Sequence, residues 1–249
     1  MASLAVAAPA GEWWSVTDRG PGRAGGSRFE VDRDGTVLFG CDDPDDVAPL
    51  LLWWVNRTAC FETRHRVMVH AAVAALEGRA LLLPAPQESG KTTLVAALVQ
   101  QGFGYLSDEA AALDPVSGTV HAYPKWLSVE RGSWDLFPGL RPDLAPDQAH
   151  FAATQWHVDP GTVRPGAVVG SADPEWIVTP RYVPGAATSL EPLGRAEALA
   201  ILVEEAFNLR RFGPAGFSAL AEVVRRCRCW RLTGGSLPEA VEAIRSVTQ

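Results

Sequence analysis

The sequence predicts an α/β fold in which a mixed β-sheet carries flanking helices. Residues 79–107 show a strand, a loop, a helix and a second strand in succession, the order of a βαβ unit. Residues 195–209 and 214–226 show the spacing of amphipathic helices. Residues 114–185 are rich in Pro, Gly and Trp, so we expect short antiparallel strands and long loops there. With 47% hydrophobic and 20% charged residues, the 249-residue chain can bury a core.

The N-terminal part predicts a hairpin followed by a helix. Residues 27–38, SRFEVDRDGTVL, alternate apolar and polar side chains around an Asp-Gly pair, which is typical of a hairpin. The acidic residues at 43–46 suit the N-terminus of a helix over residues 47–61. We expect this helix to be buried because it contains the apolar run LLLWWV.

The central part of the chain predicts two strands, a helix and a further strand. Residues 67–76 predict a strand, and residues 79–83 predict a second one after a Glu-Gly turn. Residues 91–101 predict a helix that ends at Gly102, and residues 103–107 predict the next strand. The two strands that flank the helix should be parallel.

The C-terminal end predicts one more strand and one more helix. Residues 228–232 favour a strand, and Ser-Leu-Pro-Glu at 236–239 is a capping box that opens a helix. With no internal repeat and no Ser-rich linker, we expect residues 1–62 to form an elaboration packed on a core domain of residues 63–249.

Residues 85–92, APQESGKT, match the phosphate-loop pattern G-x-x-x-x-G-K-[ST] except at its first position. A glycine before the lysine lets the backbone pass close to phosphates, the lysine reaches the β- and γ-phosphates, and the threonine hydroxyl suits Mg²⁺. Amides at the start of the following helix favour an anion. The predicted nucleotide-binding residues are Gln87, Glu88, Ser89, Gly90, Lys91, Thr92 and Thr93.

Two residues depart from the pattern. Ala85 replaces the leading glycine, which costs about 1–2 kcal/mol if the position is left-handed and little otherwise. Glu88 places a carboxylate in the loop, where it would repel phosphates if it faced them. The run E-S-G-K-T-T also resembles the phosphate loop of heterotrimeric G-protein α-subunits, which implies that such a glutamate is compatible with nucleotide binding when it points outward.

Three further residues are candidates for chemistry. His70 lies on the strand paired with the one that enters the loop, and Asp108 with Glu109 follow the strand after the loop helix. Ligands of open parallel sheets gather at that edge, where one acid can hold Mg²⁺ and a second can accept a proton from a hydroxyl. Alone, a strand histidine is more often structural and an acid after a strand often caps a helix, but their order around the loop favours a functional site.

The segments MVHAAV, LLLPAPQESGKTTL and GFGYLSDE, in this order, resemble the HPr kinase/phosphorylase superfamily, especially its smaller HPr-kinase-related members of bacterial biosynthetic clusters. YPKWLSV, PRYVPGA and the closing helices are similar to the C-terminal part of those kinases. The likeness covers residues 66–245 and is most specific over 68–109. It implies a P-loop kinase of HPr-kinase-like, carboxykinase-related architecture.

The resemblance implies an ATP- and Mg²⁺-dependent kinase that phosphorylates a serine-type hydroxyl. By position, Asp108 takes the place of the catalytic or metal-linked acid, with Glu109 as its neighbour. We expect Asp108, assisted by His70, to accept the proton of the acceptor hydroxyl. Lys91 completes the catalytic set, and Thr92 with Asp108 would hold the metal. Related kinases beside peptide-maturation enzymes suggest a peptide or protein acceptor in a bacterial peptide natural-product pathway.

Other functions stay open: a small-molecule hydroxyl kinase, or a non-catalytic nucleotide-binding scaffold. A carboxykinase-type enzyme would need additional metal-binding His and Lys residues. This function is therefore disfavoured, because the chain has only two lysines, Lys91 and Lys125. Arg181 would add positive charge near the transferred group, or would simply pack at the surface. Four tryptophans of the middle segment would form core or line an acceptor groove, and their large area favours core: Trp126, Trp134, Trp156 and Trp176.

Charge and composition limit the partners. A net charge of −7 argues against nucleic acid and anionic membranes. Apolar runs are far shorter than the ~20 residues that a bilayer requires, and the first residues lack the basic region of a signal peptide. We therefore expect a cytoplasmic protein whose four cysteines are reduced structural thiols, with a homo-oligomer left open.

Overall fold

The structure, a computed structural model, describes residues 3–7, 13–20, 26–144 and 155–248. It divides into two compact units, Met1–Ala59 and Cys60–Gln249. Among the described residues, no helix combines the length and apolar character that a bilayer crossing requires.

The first unit contains a four-stranded antiparallel sheet in the order β1-β2-β3-β4. The predicted hairpin is confirmed, since β3 and β4 are joined by a turn at Asp34 and Gly35, which both have positive φ. Most of helix α1 follows in this unit. These elements are β1 (Ser3–Ala7), β2 (Trp13–Asp18), β3 (Phe29–Arg33), β4 (Thr36–Cys41) and α1 (Pro44–Glu62).

Helix α1 begins where the acidic residues predict, because the Asp43 carboxylate accepts a hydrogen bond from Asp45 N at 2.9 Å. The expectation that this helix is buried is wrong. Leu52, Trp53 and Val55 are 59%, 54% and 41% exposed. Six consecutive apolar residues spread around the whole circumference of a helix, so one packing face cannot cover all of them.

The second unit is built on a mixed eight-stranded sheet in the order β13-β14-β12-β6-β5-β8-β9, in which β7 also pairs with β5. The pairs β6–β12 and β12–β14 are parallel, and the other pairs are antiparallel. The predicted mixed α/β sheet is thus confirmed. Its strands are β5 (Val67–Leu76), β6 (Arg79–Pro84), β7 (Gly104–Ser107), β8 (Ala110–Leu113), β9 (Val120–His121), β12 (Ser171–Tyr182), β13 (Ser189–Pro192) and β14 (Arg228–Gly234).

Helices cover both faces of this sheet. One core cluster joins α2 and α6 to the sheet, and a second joins α4 and α5 to the opposite face. Alternate residues of β5 enter the two clusters, Ala72 in one and Val73 in the other, as strand geometry requires. The helices are α2 (Lys91–Gln100), α3 (Pro160–Val163), α4 (Arg195–Glu204), α5 (Leu209–Arg226) and α6 (Leu237–Thr248).

The middle segment also forms a separate two-stranded antiparallel pair, β10 (Leu127–Glu130) with β11 (Gln155–Val158). Two 3₁₀ turns follow β10, at Arg131–Leu136 and Pro138–Leu140. Residues 145–154 of this segment lie outside the described residues.

The strands flanking α2 run in the same direction, as predicted, but they are not neighbours. Both β6 and β7 pair antiparallel with β5, which therefore lies between them. The parallel neighbour of β6 is β12, a 12-residue strand within the segment expected to hold only short antiparallel strands. Pro174 lies next to a register shift in the pairing with β6, and Pro180 lies beyond the last pair with β6, which are positions where sheets tolerate proline.

The predicted helix over 195–209 ends earlier than expected, at Glu204. The next helix begins at Leu209 and is kinked at Gly213, whose φ is 54° ahead of Pro214. The late strand and the final helix are confirmed as β14 and α6, and Ser236 Oγ lies 3.5 Å from Glu239 N at the start of α6.

Candidate active site

The phosphate-like loop joins β6 to α2. Gly90 is the N-cap of α2 and has φ 89° and ψ 12°, a left-handed conformation that favours glycine. Leu94 N donates to Gly90 O at 2.9 Å, so the helical ladder begins after the amides of residues 91–93. These amides and the positive end of the helix dipole form an anion-binding terminus.

The two departures from the loop pattern have different structural consequences. Ala85 is not among the left-handed residues, so its Cβ causes no strain of that kind, and the side chain is fully buried. Glu88 has φ 63°, which is unfavourable for a residue with a Cβ. Its side chain is exposed, as expected of a carboxylate that leaves the cradle to the backbone amides.

The other polar residues of the loop differ in burial and in hydrogen bonding. Ser89 Oγ is buried and has no hydrogen-bond partner within the described residues, which makes it an available donor inside the loop. Gln87 is exposed. Thr93 Oγ1 lies 2.6 Å from Ser133 Oγ, so its hydroxyl ties α2 to the first 3₁₀ turn.

Lys91 lies across the loop and is only 6% exposed. Its Nζ donates to the carbonyl oxygens of Ala85 and Pro86, both at 2.7 Å. Burial lowers the pKa of Lys91 to about 8, although the carboxylates of Glu205, Glu109 and Asp108 favour the charged form. The ammonium group thus has acidic surroundings and backbone partners that phosphate oxygens can replace.

Thr92 and Asp108 meet beside the loop although they are 16 positions apart in the sequence. Thr92 Oγ1 donates to Asp108 Oδ2 at 3.3 Å. Asp108 is 4% exposed and accepts further hydrogen bonds from Tyr105 OH at 3.1 Å and from Ser128 N at 3.0 Å. Lys125 Nζ lies 3.2 Å from Asp108 Oδ1. Donors from four residues therefore stabilise the charge of this buried carboxylate.

Lys125 and Tyr105 were not among the predicted site residues. Tyr105 OH also lies 2.8 Å from Lys125 O, so its single proton is shared between this carbonyl and Asp108. Burial, followed by the nearby Asp108 charge, raises the pKa of Tyr105 well above its usual value. The tyrosine therefore remains a protonated donor. The sequence contains one indication that Lys125 is functionally relevant, since it is one of only two lysines in the chain.

His70 has a different partner from the expected one. Its Nδ1 lies 2.9 Å from Glu205 Oε2, and its backbone N donates to Glu205 O at 2.8 Å. Within the described residues, no hydrogen bond joins His70 to Asp108. The register of β5 and β8 explains this, since it sets His70 opposite Ala110, and Asp108 precedes β8.

Glu109 contacts both Lys125 and strand β5. Its Oε2 is 3.6 Å from Lys125 Nζ, and its side chain is 30% exposed against 1% for that of Asp108. Its backbone O accepts a hydrogen bond from Ala71 N at 3.3 Å, next to His70 on β5. Of the two adjacent acids, Glu109 is therefore the one that is open to solvent.

Arg181 and Trp126 lie at the surface. Arg181 is exposed near the end of β12, and a Cβ added at Gly90 would lie 3.8 Å from Cβ of the neighbouring Tyr182. This end of β12 therefore borders the loop. Trp126 is 57% exposed beside Lys125, so the expectation of core does not hold for it.

The other tryptophans of the middle segment are core, as favoured. Trp156 and Trp176 are buried, at 6% and 1% exposed. Trp134 is partly buried and stacks on Trp156 with ring centroids 4.7 Å apart.

The donor set fits Mg²⁺ only in combination with a phosphate. The described residues contain no group of three or more His, Cys, Asp and Glu side chains that could hold a metal ion. A hydroxyl and a carboxylate oxygen 3.3 Å apart are hard ligands, and Mg²⁺ in nucleotide sites combines one or two such ligands with phosphate oxygens and water. Thr92 and Asp108 are the residues that would hold it.

No protein-family model matches the chain, and no curated protein matches it in sequence.

Proposed function

We propose that the chain is an ATP-dependent phosphotransferase that uses Mg²⁺ and transfers the γ-phosphoryl group to a serine-type hydroxyl of a peptide or protein. The observation that carries the proposal is the approach of Thr92 Oγ1 to Asp108 Oδ2 at 3.3 Å beside a helix that begins with Lys91. A threonine next to the loop lysine and an acid at a neighbouring strand end are the groups that nucleotide-dependent transfer requires. The choice of a peptide or protein acceptor rests on the resemblance to HPr-kinase-related proteins.

Binding would be performed by the loop. The amides at the start of α2 and the Ser89 hydroxyl donate to the β- and γ-phosphates, and the Lys91 ammonium exchanges its two carbonyl partners for phosphate oxygens. Because Lys91 is already held by the loop, little side-chain entropy is lost on binding.

Thr92 and Asp108 would hold Mg²⁺, which would supply neutralisation of the charge that develops during transfer. The remaining task is to remove a proton from the acceptor hydroxyl. Asp108 is buried and receives hydrogen bonds from several donors, whereas Glu109 is partly exposed and has the Lys125 ammonium at 3.6 Å. We therefore assign proton acceptance to Glu109, in place of the Asp108 expected from the sequence, and metal orientation to Asp108.

The proposed function is tested by a direct assay of phosphoryl transfer. The chain is incubated with Mg²⁺ and ATP together with candidate acceptor peptides, and the products are analysed by mass spectrometry for added phosphate. Lys91→Met should abolish transfer while the circular dichroism spectrum is retained. Transfer by this variant at the wild-type rate would reject the phosphate-loop assignment. ATP binding by the wild type without transfer to any acceptor would favour the scaffold alternative.

A further inference from the structure

We propose that the Lys125 ammonium serves as a built-in cation for the Asp108–Glu109 pair, so that the divalent metal enters this site only together with nucleotide. The inference rests on the proposed function and adds to it an order of binding. It assigns a role to a residue that the phosphate-loop pattern does not include.

The position of Lys125 Nζ supports a bridging role. The nitrogen lies 3.2 Å from Asp108 Oδ1, 3.5 Å from Asp108 Oδ2 and 3.6 Å from Glu109 Oε2. A single ammonium group therefore lies within ion-pair distance of both neighbouring acids and offsets part of their combined charge. The lysine side chain is 25% exposed while that of Asp108 is 1% exposed, so the ion pair is shielded from solvent on the Asp108 side.

The lysine is held in this position by its own segment. Its Nζ donates to Ser128 Oγ at 2.9 Å and lies 3.3 Å from Trp126 O. Ser128 N in turn donates to Asp108 Oδ2 at 3.0 Å, and Tyr105 OH joins Asp108 Oδ1 to Lys125 O. The lysine and the acid thus belong to one hydrogen-bonded network, which makes the contact more than a surface ion pair.

This arrangement opposes the binding of a free divalent ion. The Lys125 ammonium already lies within 4 Å of both acids. A metal ion that approached the same carboxylates would be repelled by this positive charge, and the repulsion is strong in a partly buried site. The described residues supply no third acidic, histidine or cysteine ligand to offset the repulsion. A nucleotide supplies both phosphate ligands and negative charge, so the metal can be accommodated when it arrives with the phosphates.

The experiment measures Mn²⁺ affinity by isothermal titration calorimetry and by electron paramagnetic resonance, with and without ADP. Wild type should bind Mn²⁺ weakly alone and at least about tenfold more tightly with ADP. Lys125→Met should bind Mn²⁺ alone at least about tenfold more tightly than wild type, because the repelling charge is gone. Lys125→Arg, which keeps the charge, should behave as wild type.

Two controls make the result decisive. Lys125→Met combined with Asp108→Asn should lose the gained Mn²⁺ affinity, which ties it to this carboxylate and not to the acidic surface. If Lys125→Met does not fold, Lys125→Gln replaces it, with thermal unfolding as the check. Equal Mn²⁺ affinity of the neutral variant and wild type overturns this inference even where ADP binds. Absence of ADP binding to wild type rejects the proposed function instead.

Discussion

His70 Nδ1 lies 2.9 Å from Glu205 Oε2, which joins strand β5 to the C-cap residue of helix α4. Both side chains are largely buried, at 20% and 12% exposed, and the ring of Phe207 lies 5.6 Å from that of His70. The Glu205 carboxylate is also one of the charges that favour the protonated form of Lys91. His70 can therefore influence the loop lysine through Glu205.

A double-mutant cycle tests this pairing. His70→Asn and Glu205→Gln should each lower the free energy of unfolding by about 1–3 kcal/mol, because Asn lacks the imidazole ring and Gln lacks the carboxylate charge, so each weakens a hydrogen bond between two largely buried side chains. Their effects should couple by at least about 0.5 kcal/mol in urea unfolding. The same cycle with Asp108→Asn in place of Glu205→Gln serves as the control, and stronger coupling there would contradict the assignment.

Substitutions of the two adjacent acids, Asp108 and Glu109, should affect the Mg²⁺ requirement of transfer differently. Asp108→Asn should reduce transfer by about 100-fold or more and raise the Mg²⁺ concentration needed for activity, because it removes a metal ligand. Glu109→Gln should lower kcat by a similar factor without changing the Mg²⁺ requirement, because it removes only the proton acceptor. Affinity for ADP without metal should change less than about threefold in both variants. Identical Mg²⁺ titrations for the two variants would argue against separate roles.

The parts of the structure that the sequence predicted depend on local signals. The hairpin at Asp34–Gly35, the capping of α1 by Asp43 and the left-handed Gly90 before Lys91 are all encoded within a few residues. Such signals act through φ preferences and short hydrogen bonds, so they can be recognised without knowledge of the fold.

The parts that the sequence did not predict depend on contacts between distant residues. Glu205 meets His70 across 135 positions, and Lys125 meets Asp108 across 17, neither within a recognisable spacing. The prolines of β12 argue against a strand when only the sequence is known. The sequence does not show which neighbouring strand each of these residues pairs with. These features follow from sheet order and register, which hydrophobic periodicity does not determine.

The loop conformation predicts opposite results for two glycine substitutions. Glu88→Gly should stabilise the chain by about 1 kcal/mol, because it relieves the left-handed strain at φ 63°. Ala85→Gly should destabilise it by about 1 kcal/mol, because Ala85 is buried and not left-handed and the glycine adds backbone freedom to the unfolded chain. Glu88→Gln is the matched control, since it removes the charge and keeps the strain. Thermal unfolding of the three variants measures the difference, and equal stability of Glu88→Gly and Glu88→Gln would contradict it.

Two buried thiols predict how stability depends on alkaline pH. Burial raises the pKa of Cys60 and that of Cys227 from 9.0 to about 12. In the unfolded chain both thiols ionise near pH 9, so above this pH the folded state binds more protons than the unfolded state does. The contribution of each thiol to stability is therefore complete below about pH 9 and is lost as the pH rises toward 12, at a rate approaching about 1.4 kcal/mol per pH unit.

Urea unfolding between pH 8 and 10.5 measures the effect as a difference between variants, which cancels the contributions of other titrating groups. Cys60→Ala should lose stability with rising pH more slowly than wild type, whereas Cys41→Ala should follow wild type more closely because Cys41 is only partly buried. A parallel decline of wild type and Cys60→Ala would show that the thiol ionises in the folded chain as readily as in the unfolded one. In that case Cys60 would also react with thiol reagents in the native protein, which its 1% exposure argues against.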